Sequence, residues 1–474
     1  MMGISRRRFL GTTLAATGTG VALPRLAAAY PSARTLSVDT RTIEVAGRAA
    51  TVFGIFDSEQ SSPFRFALDE PFRVHVDNRI AEPTLLHWHG LTPPWRQDGV
   101  PSLPHPPIDA GLAHSFSFAL DHPGTFWMHS HYGMQLQAML AAPLIVIDPA
   151  DAPGADIDVV VMLQDFSFRP AEEILAGLLE GTDDMHGDMA DMNNGGAAMA
   201  DMAPHANDFD HDAYLMNDRT LDDPEIVRVD PGARIRLRIV NASASTGFHI
   251  DAGALDAEAI AVDGLAIVPA GGRKFPLSPG QRIDLALSVP TEGGAFPILA
   301  LREGARERTG LILATAGAPI GKLVPLADTI APRLDLAFER QIAPALPEAP
   351  RSADRHFNVD LTGTHRPYRW DIAVTDAATG QSAAIEFGER VELALHNPTP
   401  MAHPMHLHGH RFQVVGIGPG RFAGALRDTV LVPPNETVTI AFDASNPGRW
   451  ALHCHHLYHM GAGMMTTLDY RGSV

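Results

Sequence analysis

Cysteine is almost missing from this chain: Cys454 is the single one among 474 residues. A lone cysteine excludes any intramolecular disulfide, so the fold must hold without covalent staples. Positive charge is also scarce, with 36 Lys and Arg against 55 Asp and Glu and a formal net charge of -19. That balance argues against nucleic acid as a partner, because phosphate contacts need cationic side chains. It favours cationic substrates weakly, since acidic surfaces commonly serve solubility. After the N-terminus no stretch approaches the ~20 apolar residues that span a bilayer, so stable membrane insertion is not expected.

What is present suits a large all-β protein. The chain is 45% hydrophobic and 19% charged, and its 38 Pro and 42 Gly are scattered, as in many short strands joined by turns. Residues 1–29 carry Arg6-Arg7-Arg8 before a mildly apolar stretch ending in Ala27-Ala28-Ala29. This pattern reads as a twin-arginine export signal, which implies the Tat export machinery as a partner and a periplasmic mature protein. Three sets of period-two runs follow, over 30–152, 153–335 and 350–474, with a Pro-rich linker near Ala343 to Pro350. The runs ending at Asn78, Asn241 and Asn397 share one alternating pattern, a weak internal repeat. Three β-sandwiches in series account for these observations.

Cys454 lies between His453 and His455, with His459 and Met464 beyond. In an exported protein a lone cysteine is an intermolecular bridge, an inert buried thiol or a ligand, and the surrounding histidines favour the ligand. His, Cys and a weak axial Met form the donor set of blue-copper sites. Alternation along a strand puts His453 and His455 on the face opposite Cys454, so one segment can touch two metal sites.

Three more clusters lie far away in the chain: His87-Trp88-His89, His129-Ser130-His131, and His403-Pro404-Met405-His406-Leu407-His408. Each His-x-His pair places two imidazoles on one strand face, roughly 6 to 7 Å apart, a spacing suited to neighbouring metals. One such pair is a weak signal. Ten of the 23 histidines, however, fall in the four clusters or at His459. His75, His105, His114, His122, His249, His410 and His456 are assigned to packing or the surface.

On these motifs the sequence resembles three-domain multicopper oxidases of the laccase, ascorbate oxidase and bacterial copper-tolerance group, over nearly the whole chain after the signal. The resemblance implies three consecutive cupredoxin-like Greek-key β-sandwich domains and four copper ions. It implies that His403, Cys454, His459 and Met464 hold a type 1 copper, and His87 and His406 a type 2 copper. His89, His129, His131, His408, His453 and His455 would hold a type 3 pair. The middle domain would be copper-free, and the trinuclear cluster would sit between the other two. Electrons from a reducing substrate would pass from Cys454 to His453 and His455, and four of them would reduce dioxygen to water.

Asp98, in an Asp-Gly turn signal, matches the acid that relatives place near the cluster for proton supply. Met460 departs from the Glu that many bacterial relatives carry after the histidine equivalent to His459, and Tyr458 is no obvious substitute. For the electron donor, Cu(I) is expected and a laccase-like oxidation of small phenols is the alternative. The Asp- and Met-rich insertion 183–204 points to copper through the soft thioethers of Met185, Met189, Met192, Met199 and Met202. Asp428 is expected beside the type 1 site, where it would meet substrate copper, or as an ordinary strand-end residue. A ligand-free scaffold and a copper nitrite reductase are both disfavoured by the complete ligand set.

Overall fold

The computed structural model of the protein describes residues 33–57, 62–149, 154–182, 206–347, 349, 351–381 and 384–472. The export signal 1–29 and the Met-rich insertion 183–204 lie outside the described residues.

Alternating apolar residues become strands that pair into two-sheet sandwiches. The first has two four-stranded sheets, the second a six- and a five-stranded sheet, and the third a seven- and a four-stranded sheet. Apolar side chains such as Val74, Leu237 and Leu393 are fully enclosed between facing sheets, and their burial supplies most of the folding drive. The fold is thus all-β and cupredoxin-like, as expected.

The sequence repeat has a structural counterpart in all three sandwiches. Residues 34–38 run parallel to 74–78, 157–163 to 235–241, and 355–360 to 391–396. The second strand of each pair leads to the repeated asparagine. Asn78, Asn241 and Asn397 are all fully buried. Each side-chain amide donates to two backbone carbonyls: Glu82 and Ile108, Thr246 and Leu277, Met401 and Val432. Each also accepts an amide two residues on, at Ile80, Ser243 and Thr399. The asparagine therefore satisfies its own polar atoms while tying a loop across the sandwich. In the third sandwich this fixes the turn leading into His403.

Helices are few, and two matter. Ala171–Glu180, in the second sandwich, buries Ile174 and Leu178 and ends at Gly181 in the left-handed conformation. Leu457–Gly461 follows Cys454 and carries His459. The two helices meet at Gly461, where an added Cβ would lie 3.3 Å from Leu175.

Candidate metal centres

The strands His403–Leu407 and Arg449–Cys454 are antiparallel neighbours, with Met405 opposite Cys454 and His406 opposite His453. In the first sandwich Leu86–His89 pairs with Gly124–Ser130, which sets His87 opposite His129. Period-two alternation then sorts the side chains onto the two sheet faces.

Cys454 faces a compact three-residue site. Its Sγ lies 3.7 Å from Nδ1 of both His403 and His459, and those two nitrogens are 3.2 Å apart. All three residues and Met464 are fully buried. Met464 is tied in by its backbone, accepting from the Cys454 amide and donating to the His459 carbonyl. His403 Nε2 meets Thr399 Oγ1 at 2.7 Å, and His459 Nε2 lies 3.2 Å from Asp208 Oδ2. Both rings therefore engage neighbours through Nε2 and turn Nδ1 toward the sulfur. Burial pushes the Cys454 thiol far above its ordinary pKa, so a thiolate here needs a cation beside it.

The eight remaining histidines converge on the opposite side. They form the groups His87–His89–His406, His89–His129–His455 and His131–His408–His453, with donor atoms within 4.8 Å of one another in each. Four rings donate Nδ1–H to oxygen atoms: His87 to Asp98 O, His129 to Ser130 O, His406 to Asp428 O and His453 to Cys454 O. His408 Nδ1 meets the Asp98 carboxylate at 2.8 Å. These contacts leave Nε2 pointing inward, and the Nε2 atoms of His408 and His453 are 3.0 Å apart. His129 Nε2, His89 Nδ1 and both ring nitrogens of His455 are buried without a hydrogen-bond partner.

Clustered buried nitrogens with no proton donor are costly unless a cation occupies the space between them. Burial first, and mutual repulsion second, holds His89, His131, His406, His408 and His455 well below the usual histidine pKa. Burial also lowers His453 and His459 to about 4. Neutral imidazoles with outward N–H groups anchored to oxygen are the form that binds metal. The donor set of each centre fits copper.

Asp98 lies between two of the clustered histidines: its Oδ1 is 3.2 Å from His87 Nδ1, and its Oδ2 is 2.8 Å from His408 Nδ1. Asp428 is elsewhere than expected. The strand Thr429–Val432 runs antiparallel to His403–Leu407, so Val432 sits at His403 and Thr429 at His406. That register carries Asp428 to the eight-histidine cluster, where it contacts His89 Nε2 at 3.1 Å. It is fully enclosed there, so the expectation of a substrate-copper acid beside Cys454 is corrected.

An acid does stand beside the cysteine site, and it is Asp208. It is completely buried, touches His459, accepts from Tyr368 Oη at 2.8 Å and lies 3.5 Å from His365 Nε2. His365 Nε2 is 2.7 Å from Met401 Sδ. His456, assigned to packing, donates its amide to Cys454 Sγ and stacks on His459. No sequence motif marks Asp208 or His365, and Met401 could be suspected only from its place two residues before His403.

A cupredoxin-type fold joining a thiolate–imidazole site to a multinuclear histidine cluster defines the class: copper proteins that combine electron transfer with oxygen chemistry. Three family profiles described as multicopper oxidase match residues 37–151, 177–317 and 350–473. The chain belongs to the multicopper oxidase family, and is a copper-dependent oxidoreductase using dioxygen. It is 29% identical to multicopper oxidase MmcO of Mycobacterium tuberculosis, covering 98% of this chain and 96% of that one. It is 24% identical to copper resistance protein A of Pseudomonas syringae pv. tomato over 90% and 91% of the two chains. Laccase-1 of Cryptococcus neoformans var. neoformans is 25% identical, over 83% of this chain and 73% of that one. The crystal structure of Fet3p, a multicopper oxidase in iron import, shares the fold, with a TM-score of 0.75, 18% identity and coverage of 92% and 90%.

Proposed function

We propose that this protein oxidises Cu(I) to Cu(II), coupling four one-electron oxidations to the reduction of one dioxygen, with four protons, to two waters. The observation that carries this reading is the Asp208, His365 and Met401 group packed against His459. A carboxylate, an imidazole and a thioether in contact make a donor set that a small soft cation can use and a phenol ring does not need. His365 is the solvent-facing member, with its side chain 21% exposed. The flanks of the Met-rich insertion support the same reading. The helix Ala171–Glu180 before it packs at Gly461, and Asp208 after it touches His459. The described residues on either side of the insertion thus lie near the group that would receive Cu(I). The relatives named copper resistance protein A are consistent with this substrate.

The ligand assignment we favour places one copper at His403, Cys454, His459 and Met464. A second falls at His87 and His406, and a pair at the other six clustered histidines. Copper bound there supplies one-electron redox chemistry and dioxygen reduction. The protein's own residues do the rest. Cys454 is adjacent in sequence to His453 and His455, and its carbonyl also accepts from His453 Nδ1 at 2.9 Å, so two covalent routes and one hydrogen bond lead to the cluster. Asp98 holds the outward N–H of His408 and supplies a carboxyl beside His87 for proton delivery. Periplasmic location and twin-arginine export follow from residues 1–29 and belong to this proposal, as do domain limits at 30–152, 153–335 and 350–474.

Oxygen uptake with Cu(I) and with a phenol tests the substrate, in the intact protein, in Met401→Leu and in a variant lacking residues 183–204. Selective loss of Cu(I) turnover in both variants is expected. Equal loss on both substrates, or faster turnover of the phenol by the intact protein, favours the laccase-like alternative that the relatives named laccase suggest.

A further inference from the structure

The second sandwich supplies none of the clustered histidines, yet three consecutive residues from it back them. Gly280 has φ +84°, and an added Cβ would lie 2.7 Å from the His455 ring. Gln281 Nε2 donates to Thr429 O at 3.1 Å. Arg282 is fully buried, and its two terminal nitrogens donate to the two oxygens of Asp428, each at 2.6 Å. Its Nε reaches Thr125 O in the first sandwich at 3.2 Å, and Nη2 also donates to Asp263 O at 2.9 Å. A guanidinium held on every side presents a rigid fork, which fixes the carboxylate in one orientation.

Asp428 in turn sets two rings. Its backbone carbonyl accepts from His406 Nδ1 at 2.8 Å, and its Oδ1 meets His89 Nε2 at 3.1 Å. Both carboxylate oxygens already accept from Arg282, so the proton in the His89 contact resides on the imidazole. His89 is thereby reversed relative to His87, His129, His406 and His453: Nε2 carries the proton and Nδ1 is left without a partner. Gly90, at φ +91°, makes room for this arrangement. An added Cβ there would collide with Arg282 Nη2 and lie 2.8 Å from Asp428 Oδ2.

We propose that Arg282 is a positioning residue for the histidine cluster: through Asp428 it locks His89 to present Nδ1, making the His89–His129–His455 centre dependent on the ligand-free second sandwich. This rests on the copper assignment above. The test uses copper-loaded full-length protein in four forms: wild type, Arg282→Lys, Arg282→Met, and Arg282→Met combined with Asp428→Leu. Copper per chain, the visible band of the cysteine site, the near-ultraviolet absorption of the paired coppers and the melting temperature of the copper-free form are measured.

Arg282→Met should keep the visible band and lose near-ultraviolet absorption and copper, with metal binding at that centre weakened about 10- to 100-fold. Lysine keeps the charge but not the fork, so Arg282→Lys should lose part of the same absorption without a lower melting temperature. The double variant removes the unpaired buried charge, and should recover melting temperature but not the absorption. Recovery of both in the double variant, or full near-ultraviolet absorption in Arg282→Met and Arg282→Lys, overturns the proposal in favour of simple charge pairing. Absence of that absorption in the wild type overturns the copper assignment instead.

Discussion

Asp208 lies 3.2 Å from His459, a carboxylate of the second sandwich set directly against an imidazole of the cysteine site in the third. Neither residue has any exposed surface. Burial alone would raise the Asp208 pKa, but His459, His365 and His456 together hold it well below the usual carboxylate value. The group is therefore a fixed negative charge beside the cysteine site.

Asp208→Asn removes that charge while keeping the shape. We expect kcat/KM for Cu(I) to fall about tenfold, equivalent to about 1.4 kcal/mol of lost stabilisation, mostly through KM. Steady-state oxygen uptake with Cu(I) and with a phenol checks this. An unchanged Cu(I) KM would remove Asp208 from the electron-input role.

Cys454→Ser should abolish the intense visible band, because only the thiolate supplies that ligand-to-metal transition. The electron paramagnetic resonance signal of the copper at His87 and His406 should persist. Loss of all copper from this variant would mean that the two centres do not form separately.

Asp98→Asn should separate the two halves of turnover. Anaerobic reduction of the cysteine site by Cu(I) should keep its wild-type rate, while reoxidation by dioxygen slows about 100-fold or more once the proton source is gone. Stopped-flow mixing of reduced enzyme with oxygen measures the second step alone. Equal slowing of both steps would point to a structural fault.

The copper-free protein should be acid-labile in a defined window. Burial lowers His410 to about 4, and the clustered histidines are lowered as well. Unfolded histidines bind protons below about pH 6.5, so between there and about 4 the unfolded state holds more protons. Stability is therefore full above the unfolded value and falls as pH drops through the window, His410 alone accounting for about 3 kcal/mol. Chemical denaturation at stepped pH, with and without copper, should show loss beginning near pH 6.5 in both forms, and a larger loss in the copper-free form, where the clustered histidines titrate along with His410.

The all-β architecture and the residues that cluster could be read from the sequence, while the surroundings of those residues could not. His87, His89, His129 and His131 declare themselves because alternation along a strand is enough to give His-x-His one face. The repeated Asn78, Asn241 and Asn397 were visible as a pattern, although their role in tying loops was not. Asp428 was misplaced because its position depends on register: one strand running antiparallel to His403–Leu407 decides which end of that strand it meets. Asp208 and Arg282 were missed because each acts on residues more than 140 positions away, with no local spacing to announce it.

The packing of Gly280 against His455 and of Arg282 against Asp428 carries a consequence for the order of events in the protein's life. Residue 87 is synthesised long before residue 455, and the wall behind them comes from between. No partial chain can present the complete cluster, so copper capture at the cluster reports that all three sandwiches have closed on one another. Copper held at that cluster is then a lower bound on the molecules that finished folding.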